Sequence, residues 1–292
     1  LKEGDLIILE STSPVGTTQT IADIIAQARP ELCDIFVAHS PERVIPGKVL
    51  QELVENDRVV GGINAQSTEK AREFYETFVS GAVLTTNART AELCKLTENA
   101  FRDVNIAYAN ELSMICDLQG VNVWELIALA NHHPRVNILQ PGPGVGGHCI
   151  AVDPWFIVDA APNDAKLIRQ AREVNTHKPN WVLQKVYETA KKFHQPTIAC
   201  FGAAFKADID DLRESPALSI IHTLMQESIG QVMVVEPHVH AIDGIELIDM
   251  DHALDIADIV LILVDHKAFM SIDPARLLDK CVIDTKGLFA RG

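Results

Sequence analysis

Three absences bound this chain before any motif is read. Cations are scarce: Lys+Arg is 25 against 40 Asp+Glu, a formal net charge of −15. An acidic surface repels nucleic acid and anionic lipid, so neither is an expected partner. Long hydrophobic runs are missing as well. The longest, such as Ile259–Val264, are strand-sized and well short of the ~20 residues that cross a bilayer. No C-x-x-C pair occurs among the six scattered cysteines, Cys33, Cys94, Cys116, Cys149, Cys200 and Cys281. They read as reduced thiols of a cytosolic chain rather than a disulfide framework or zinc site.

What is present is an ordinary globular mixture, 47% apolar and 22% charged, and its 292 residues suit two or three domains. The hydrophobic period alternates over the first 86 residues. Strands are expected at Leu6–Leu9, Ile35–Ala38, Arg58–Gly61 and Ala82–Thr85, with helices at Thr17–Ala28 and Ala65–Val79. That alternation predicts a doubly wound, mostly parallel sheet. The sheet is small for its helices, and Leu1–Asp5 reads as a helix end entering a strand, so a preceding segment is expected. Long helices follow at Thr90–Leu118, Val123–Asn131 and Lys166–Phe193. Their apolar stripes suit a spacer that dimerises, or a spacer packed only within its own chain. From Thr197 the alternation returns, with strands at Thr197–Phe201, Val232–Val235, Ile259–Val264 and Val282–Asp284. Helices are expected at Pro216–Gln226, Asp251–Ala257 and Pro274–Leu278. Ligands of such sheets lie beyond the C-terminal strand ends, which here carry Lys206, Glu236, Asp265 and Lys286.

Gly142-Pro-Gly-Val-Gly-Gly147 matches G-x-G-x-x-G in form only. A dinucleotide fingerprint needs a strand before it and a helix after it, and this run has neither. Dense glycine here lets backbone approach a ligand closely and leads directly into Cys149. A thiol there is either an inert buried side chain or a nucleophile beside His148 and Asp153. Lys95, Asn99 and Arg102 share one helix face at i, i+4 and i+7, a set suited to an oxyanion or phosphate, or a plain solvated stripe. In the stripe reading Glu92 and Glu98 are simple partners along the same helix. Glu42 and Arg43 form a loop ion pair or face a ligand. The turn Glu10–Gly16 offers hydroxyls and N–H groups to an anion. Gly202 permits a tight turn, Lys206 supplies a point charge for phosphate, and Arg213 either serves a ligand or bridges to the adjacent acidic run. His132, His133, His238 and His240 have no carboxylate or thiol at ligand spacing, so no metal is expected.

Taken together, Glu10-Ser-Thr-Ser-Pro-Val-Gly16, Ser40-Pro-Glu-Arg43, Glu92-Leu-Cys-Lys-Leu-Thr-Glu-Asn99, Gly144-Val-Gly-Gly-His-Cys149 and Gly202-Ala-Ala-Phe-Lys206 with Arg213-Glu-Ser215 resemble the UDP-glucose/GDP-mannose dehydrogenase family over essentially the whole chain. The resemblance implies an α/β chain in three parts. These are the C-terminal part of a doubly wound NAD-binding domain (1–86), a helical central or dimerisation domain (87–195) and a Rossmann-like UDP-sugar-binding domain (196–292). It also implies a family member lacking roughly its first hundred residues, about one small domain. The run from His133 to Phe156 is similar to the bacterial branch that oxidises UDP-N-acetyl-D-mannosamine for cell-surface polysaccharide.

The implied reaction is a four-electron oxidation of a sugar primary alcohol to a carboxylate with two NAD. Cys149 holds the sugar as a thiohemiacetal and then a thioester. By the same resemblance Lys95 and Asn99 stabilise the alkoxide and oxyanion, and Lys95 is a candidate proton shuttle. Asp153 tunes protons or activates water, Glu42 is an acid/base, and Thr12 lies near nicotinamide and water. Substrate contacts are implied for Arg43, Val44, Lys95, Asn99, Arg102, His133, Arg135, Gly146, Phe205 and Lys206. Arg135 is expected to reach across a homodimer. Arg213 is implied to reach NAD, and Lys286 replaces an arginine of some members. The rival readings are UDP-N-acetylglucosamine or UDP-glucose as substrate, a catalytically dead nucleotide-sugar-binding fragment, and a 6-phosphogluconate-type dehydrogenase without a catalytic cysteine.

Overall fold

The computed structural model describes residues 1–44 and 49–289. In chain order its first elements are β1 (Leu6–Leu9), α1 (Thr17–Ala28), β2 (Phe36–His39), α2 (Val49–Glu55), β3 (Arg58–Gly62), α3 (Ala65–Glu76) and β4 (Val83–Asn87). Four helices follow: α4 (Ala88–Gln119), α5 (Val123–Ala130), α6 (Asp153–Ala160) and α7 (Lys166–Ala190). The last stretch holds β5 (Thr197–Phe201), α8 (Pro216–Glu227), β6 (Gln231–Val235), α9 (Met250–Ile256), β7 (Ile259–Ile262) and β8 (Cys281–Asp284). Short 3₁₀ turns at Lys267–Ser271 and Pro274–Leu277 lie between β7 and β8. No described helix is long and apolar enough to cross a membrane. The chain divides into two compact units, one of residues 1–100 with 153–165, the other of residues 101–152 with 166–292.

The first unit carries a four-stranded sheet in the order β1-β2-β3-β4. β1 pairs with β2, and β3 with β4, in parallel. β2 meets β3 antiparallel through only two residue pairs, Ala38 with Gly62 and His39 with Gly61. The expected mostly parallel sheet therefore has one reversed junction. On the other side of β3, a Cβ on Gly61 would lie 2.3 Å from the Asn87 carbonyl oxygen, so only glycine fits against β4 there. The core is small, built on Ala38, Val60, Ala71 and Tyr75. Asn64 caps α3 by accepting the Ser67 N–H, which sets the start of that helix.

The second unit holds a fully parallel sheet in the order β6-β5-β7-β8. The order reverses between β5 and β7, the kind of switch point where doubly wound sheets open a crevice. Gly202 sits at that point with φ +92°, and an added Cβ would meet Val264 Cβ at 2.4 Å, which requires glycine. Cores cover both faces of the sheet, one including Ile198, Ile220 and Leu261, the other Phe201, Val260 and Phe269. Ser215 caps α8 and Pro216 opens it, the usual N-terminal arrangement.

Two helices were not expected from the sequence. α2 is seven residues long, too short for a clear apolar period. α6 begins Asp153-Pro154, and the proline reads as loop although it sits comfortably in a first helical turn. The strand expected over Ile259–Val264 ends at Ile262, because Val264 already turns toward Gly202.

Candidate active site

The expected site residues fall in both units. In the first, α4 presents Lys95 half-buried and, one turn later, Asn99 buried. The Asn99 amide donates to the Asp153 carboxylate at 2.5 Å, with Asp153 buried at the start of α6. An Asn side chain has two N–H donors, so this bond orients the amide and leaves the second donor to be used elsewhere.

Glu42 and Arg43 do not pair with each other. The Glu42 Oε1 accepts the backbone N–H groups of Arg43 at 2.6 Å and Val44 at 2.8 Å. Its Oε2 faces the buried Arg58 guanidinium at 3.6 Å. Arg43 instead forms an ion pair with Glu98 and approaches the Cys94 sulfur at 3.3 Å. Glu98 is thus not a mere partner along its own helix. Burial, with Glu98 next, pushes the Cys94 thiol up, which disfavours it as a nucleophile.

Glu92 overturns the anion reading of the Glu10–Gly16 turn. Its carboxylate accepts the Gly16 N–H at 2.6 Å, the Thr18 N–H at 2.7 Å and the Thr18 hydroxyl at 2.6 Å. Glu92 is 1% exposed. The N-terminus of α1 already holds an anion, and the anion is the protein's own. Gly16, with no side chain to cap the helix, is the sequence feature that leaves room for it.

The dinucleotide implied by the resemblance can be tested against this donor set. Its phosphates have no free helix N-terminus at α1. Beyond β1 stand Glu10, whose carboxylate accepts the Tyr75 hydroxyl at 2.6 Å, and then three hydroxyls: Ser11, the half-buried Thr12, and Ser13, whose Oγ is spent on the Ser11 carbonyl. These oxygen-bearing residues fit the nicotinamide end, whose ring is cationic in the oxidised cofactor, with Thr12 the group that would touch it.

In the second unit no strand leads into the run from Gly142 to Gly147, and turn residues rather than a helix follow it directly. Gly144, at φ +152°, lies under Pro179 and Pro216, and a Cβ on Gly146 would strike the Glu214 carbonyl oxygen at 2.5 Å. The Phe205 ring packs on Gly147, and the Gly147 N–H donates to the Arg213 carbonyl at 3.1 Å. The glycines thus allow close packing of backbone on backbone just before Cys149. Cys149 is half-buried. Arg213 lies within electrostatic reach of it, while the Arg213 guanidinium is gripped by both Asp211 carboxylate oxygens. By contrast Cys116 and Cys200 are buried, and burial pushes both thiols up, Cys200 to about 12. Arg102, His133, Arg135 and Lys206 are exposed, and Lys286 pairs with Asp265 at 3.2 Å.

The histidine reading needs correction. His238 lies close to Asp208 and His266, all three within 4.8 Å. Sequence spacing could not reveal this, because the residues come from three different loops. Within the set the His266 ring is already committed, with one nitrogen engaged by the Asp208 N–H and the other by Glu236. Glu236, expected at the ligand crevice, is turned inward and buried.

Sequence reasoning missed a buried polar chain from α7 to the glycine loop. Arg172 pairs with Asp103 at 2.6 Å, Asn175 bonds Asp103 and accepts from Asn110, and Asn110 accepts the Gly142 N–H at 2.8 Å. It also missed Lys178, which is 2% exposed, bonded to Ser113 and seated 3.8 Å above the Trp181 ring. Burial brings its ammonium down to about 7.

The comparisons with known proteins agree on the family, while the relatives differ in the sugar that their names carry. Residues 1–79 match the UDP-glucose/GDP-mannose dehydrogenase family, NAD binding domain. Residues 89–177 match its central domain and residues 199–291 its UDP binding domain. An NDP-N-acetyl-D-galactosaminuronic acid dehydrogenase of Ralstonia nicotianae is 60% identical, over 99% of this chain and 72% of its own length. A UDP-N-acetyl-D-mannosamine dehydrogenase of Escherichia coli is 53% identical, over 99% of this chain and 74% of its own. Among solved structures, the UDP-N-acetyl-mannosamine dehydrogenase of Staphylococcus aureus superposes with a TM-score of 0.88 at 44% identity, covering 99% of this chain and 70% of that one.

Proposed function

We propose, from the premise that this chain belongs to the UDP-glucose/GDP-mannose dehydrogenase family, that it oxidises the C6 alcohol of UDP-N-acetyl-D-mannosamine to the carboxylate. Membership makes it an NAD-dependent dehydrogenase with a UDP-sugar-binding domain. NAD, when bound, supplies the hydride acceptor, with Thr12 and Arg213 as its contacts from this chain. The 60% identical relative favours a second reading, an N-acetylgalactosamine-type sugar, over the UDP-glucose expected as rival from sequence.

The chemistry is assigned to residues one at a time. The Cys149 sulfur adds to the C6 aldehyde as a thiohemiacetal. After the second oxidation it carries the thioester that water cleaves, so the half-oxidised sugar is retained. Lys95 and the second N–H of Asn99 meet negative charge developing on the C6 oxygen. Asp153 and Glu42 move protons. Arg43, Val44, Arg102, His133, Arg135, Gly146, Phe205 and Lys206 contact the nucleotide sugar. A homodimer is part of the reading, with Arg135 contributed across the interface. It is supported by Phe101, Tyr108 and Ile115, exposed at seven-residue spacing along α4.

The observation that carries the reading is the buried Asn99–Asp153 bond, a pre-oriented amide beside a carboxylate one turn from a lysine. The test is mass spectrometry of the protein mixed with NAD and UDP-N-acetyl-D-mannosamine, UDP-N-acetyl-D-galactosamine or UDP-glucose, with NADH counted per sugar. A sugar thioester on Cys149, two NADH per sugar and a highest rate on the mannosamine nucleotide are expected. Full turnover by Cys149→Ala would overturn the covalent step, and a higher rate on another sugar would overturn the substrate.

A further inference from the structure

Glu236 ends β6, where an open sheet ordinarily offers a carboxylate to its ligand. Here both carboxylate oxygens are spent inside the protein. Oε2 accepts the Ala203 N–H at 2.7 Å, the Ala204 N–H at 3.1 Å and the His266 ring at 3.1 Å. Oε1 accepts the His238 N–H at 2.9 Å. The side chains of Glu236 and His266 are both fully buried.

The ring of His266 is polarised in one direction. Its Nδ1 accepts the Asp208 N–H at 2.9 Å, so in the neutral ring the proton sits on Nε2 and is donated to Glu236. The consequence concerns the residues between these anchors. Ala203 and Ala204 immediately precede Phe205 and Lys206, and Asp208 follows two residues later. Both ends of the short segment that carries Phe205 and Lys206 are therefore tied to one buried pair. The Ser215 hydroxyl holds the Ala203 carbonyl at 2.6 Å, and the Asp211 carbonyl holds the Phe205 N–H at 3.1 Å.

We propose that Glu236 and His266 are a positioning pair that sets the Phe205–Lys206 segment to receive the nucleotide diphosphate, touching no ligand themselves. The proposal rests on the reading of that segment as a nucleotide-sugar contact. Burial alone would raise the Glu236 carboxyl, but the bonds from His266, Ala203 and His238 outweigh it and bring it down to about 2. The pair is therefore anionic on its carboxylate side throughout the working pH range. Through Phe205, packed on Gly147, the same pair also steadies the loop that leads into Cys149.

The experiment compares Glu236→Gln and His266→Gln with the wild-type protein, using UDP as the probe in calorimetry and UDP-sugar in steady-state kinetics. Glu236→Gln is isosteric but sets an N–H₂ against a donor. His266→Gln keeps a donor toward Glu236 and loses the Asp208 anchor. We expect UDP Kd and UDP-sugar KM to rise about tenfold or more in each variant, with kcat falling less than about threefold. A merely structural role would lower active concentration, hence apparent kcat, and leave KM unmoved. A folded variant that binds UDP as the wild type does overturns the pairing. If Glu236→Gln does not fold, His266→Gln decides by the same criterion. Wild-type protein that fails to bind UDP overturns the nucleotide reading itself, and with it the purpose of the pair.

Discussion

Asn99 on α4 and Asp153 at the first turn of α6 share a buried hydrogen bond of 2.5 Å across 54 residues of sequence. Asp153→Asn would keep the shape and remove the charge-assisted acceptor. We expect kcat to fall about 10²–10⁴-fold with KM for the UDP-sugar little changed, measured by NADH formation. A variant with wild-type kcat would remove Asp153 from the proton chemistry.

Glu92 caps α1 from 76 residues away and satisfies three donors at once. Glu92→Ala leaves two N–H groups and a hydroxyl without a partner beside a helix N-terminus. The expected cost is about 1–3 kcal/mol in urea unfolding, the range for stranding buried donors. Because Glu92 is spent on α1, Glu92→Gln should change KM for NAD by less than about twofold while it lowers stability.

Lys178 is buried with its ammonium near pH 7, below its unfolded value of 10.5. Between those two pH values the unfolded chain binds more protons than the folded one. Stability should therefore rise with pH over that window, at up to about 1.4 kcal/mol per unit from this one group. The attraction between the cation and the Trp181 ring, about 0.5–2 kcal/mol, opposes part of this slope. Urea midpoints of wild type relative to Lys178→Met should climb across the window, the buried thiols lowering both alike at its upper end. Equal slopes would show that the ammonium stays charged when folded.

Asn110 joins the Gly142 N–H to Asn175, and through it to the buried Asp103–Arg172 pair. Asn110→Ala strands both neighbours at once. We expect a loss of about 2–4 kcal/mol with an unchanged m-value in urea. Looser packing of the glycine loop should also slow thioester formation at Cys149, followed by the same mass spectrometry. A stability change under about 0.5 kcal/mol would place Asn110 among surface-like positions.

How far the sequence was legible depends on the range of the interaction. The bounds of α1 and β5 were readable because a 3.6- or 2-residue period is written in adjacent side chains. The run from Gly142 to Gly147 was recognisable as no dinucleotide turn for the same local reason, since no strand leads into it and no helix opens directly on it. Glu92 was not legible. A glutamate beside a lysine on a helix looks like a surface partner until α1 is packed against it. Glu236 looked like a crevice ligand because strand-end carboxylates usually are, and only the turn of Ala203 and Ala204 toward it shows where its oxygens go.

The chain by itself determined its α/β alternation, its acidic surface, the glycine approach to Cys149 and its family, all carried by residue type and near-neighbour order. The tertiary structure alone decided the antiparallel junction of β2 with β3, the pairing of Asn99 with Asp153, and the inward turn of Glu236. A buried polar group takes whichever partner the packing brings within about 3 Å, and that partner leaves no mark at a fixed spacing in sequence.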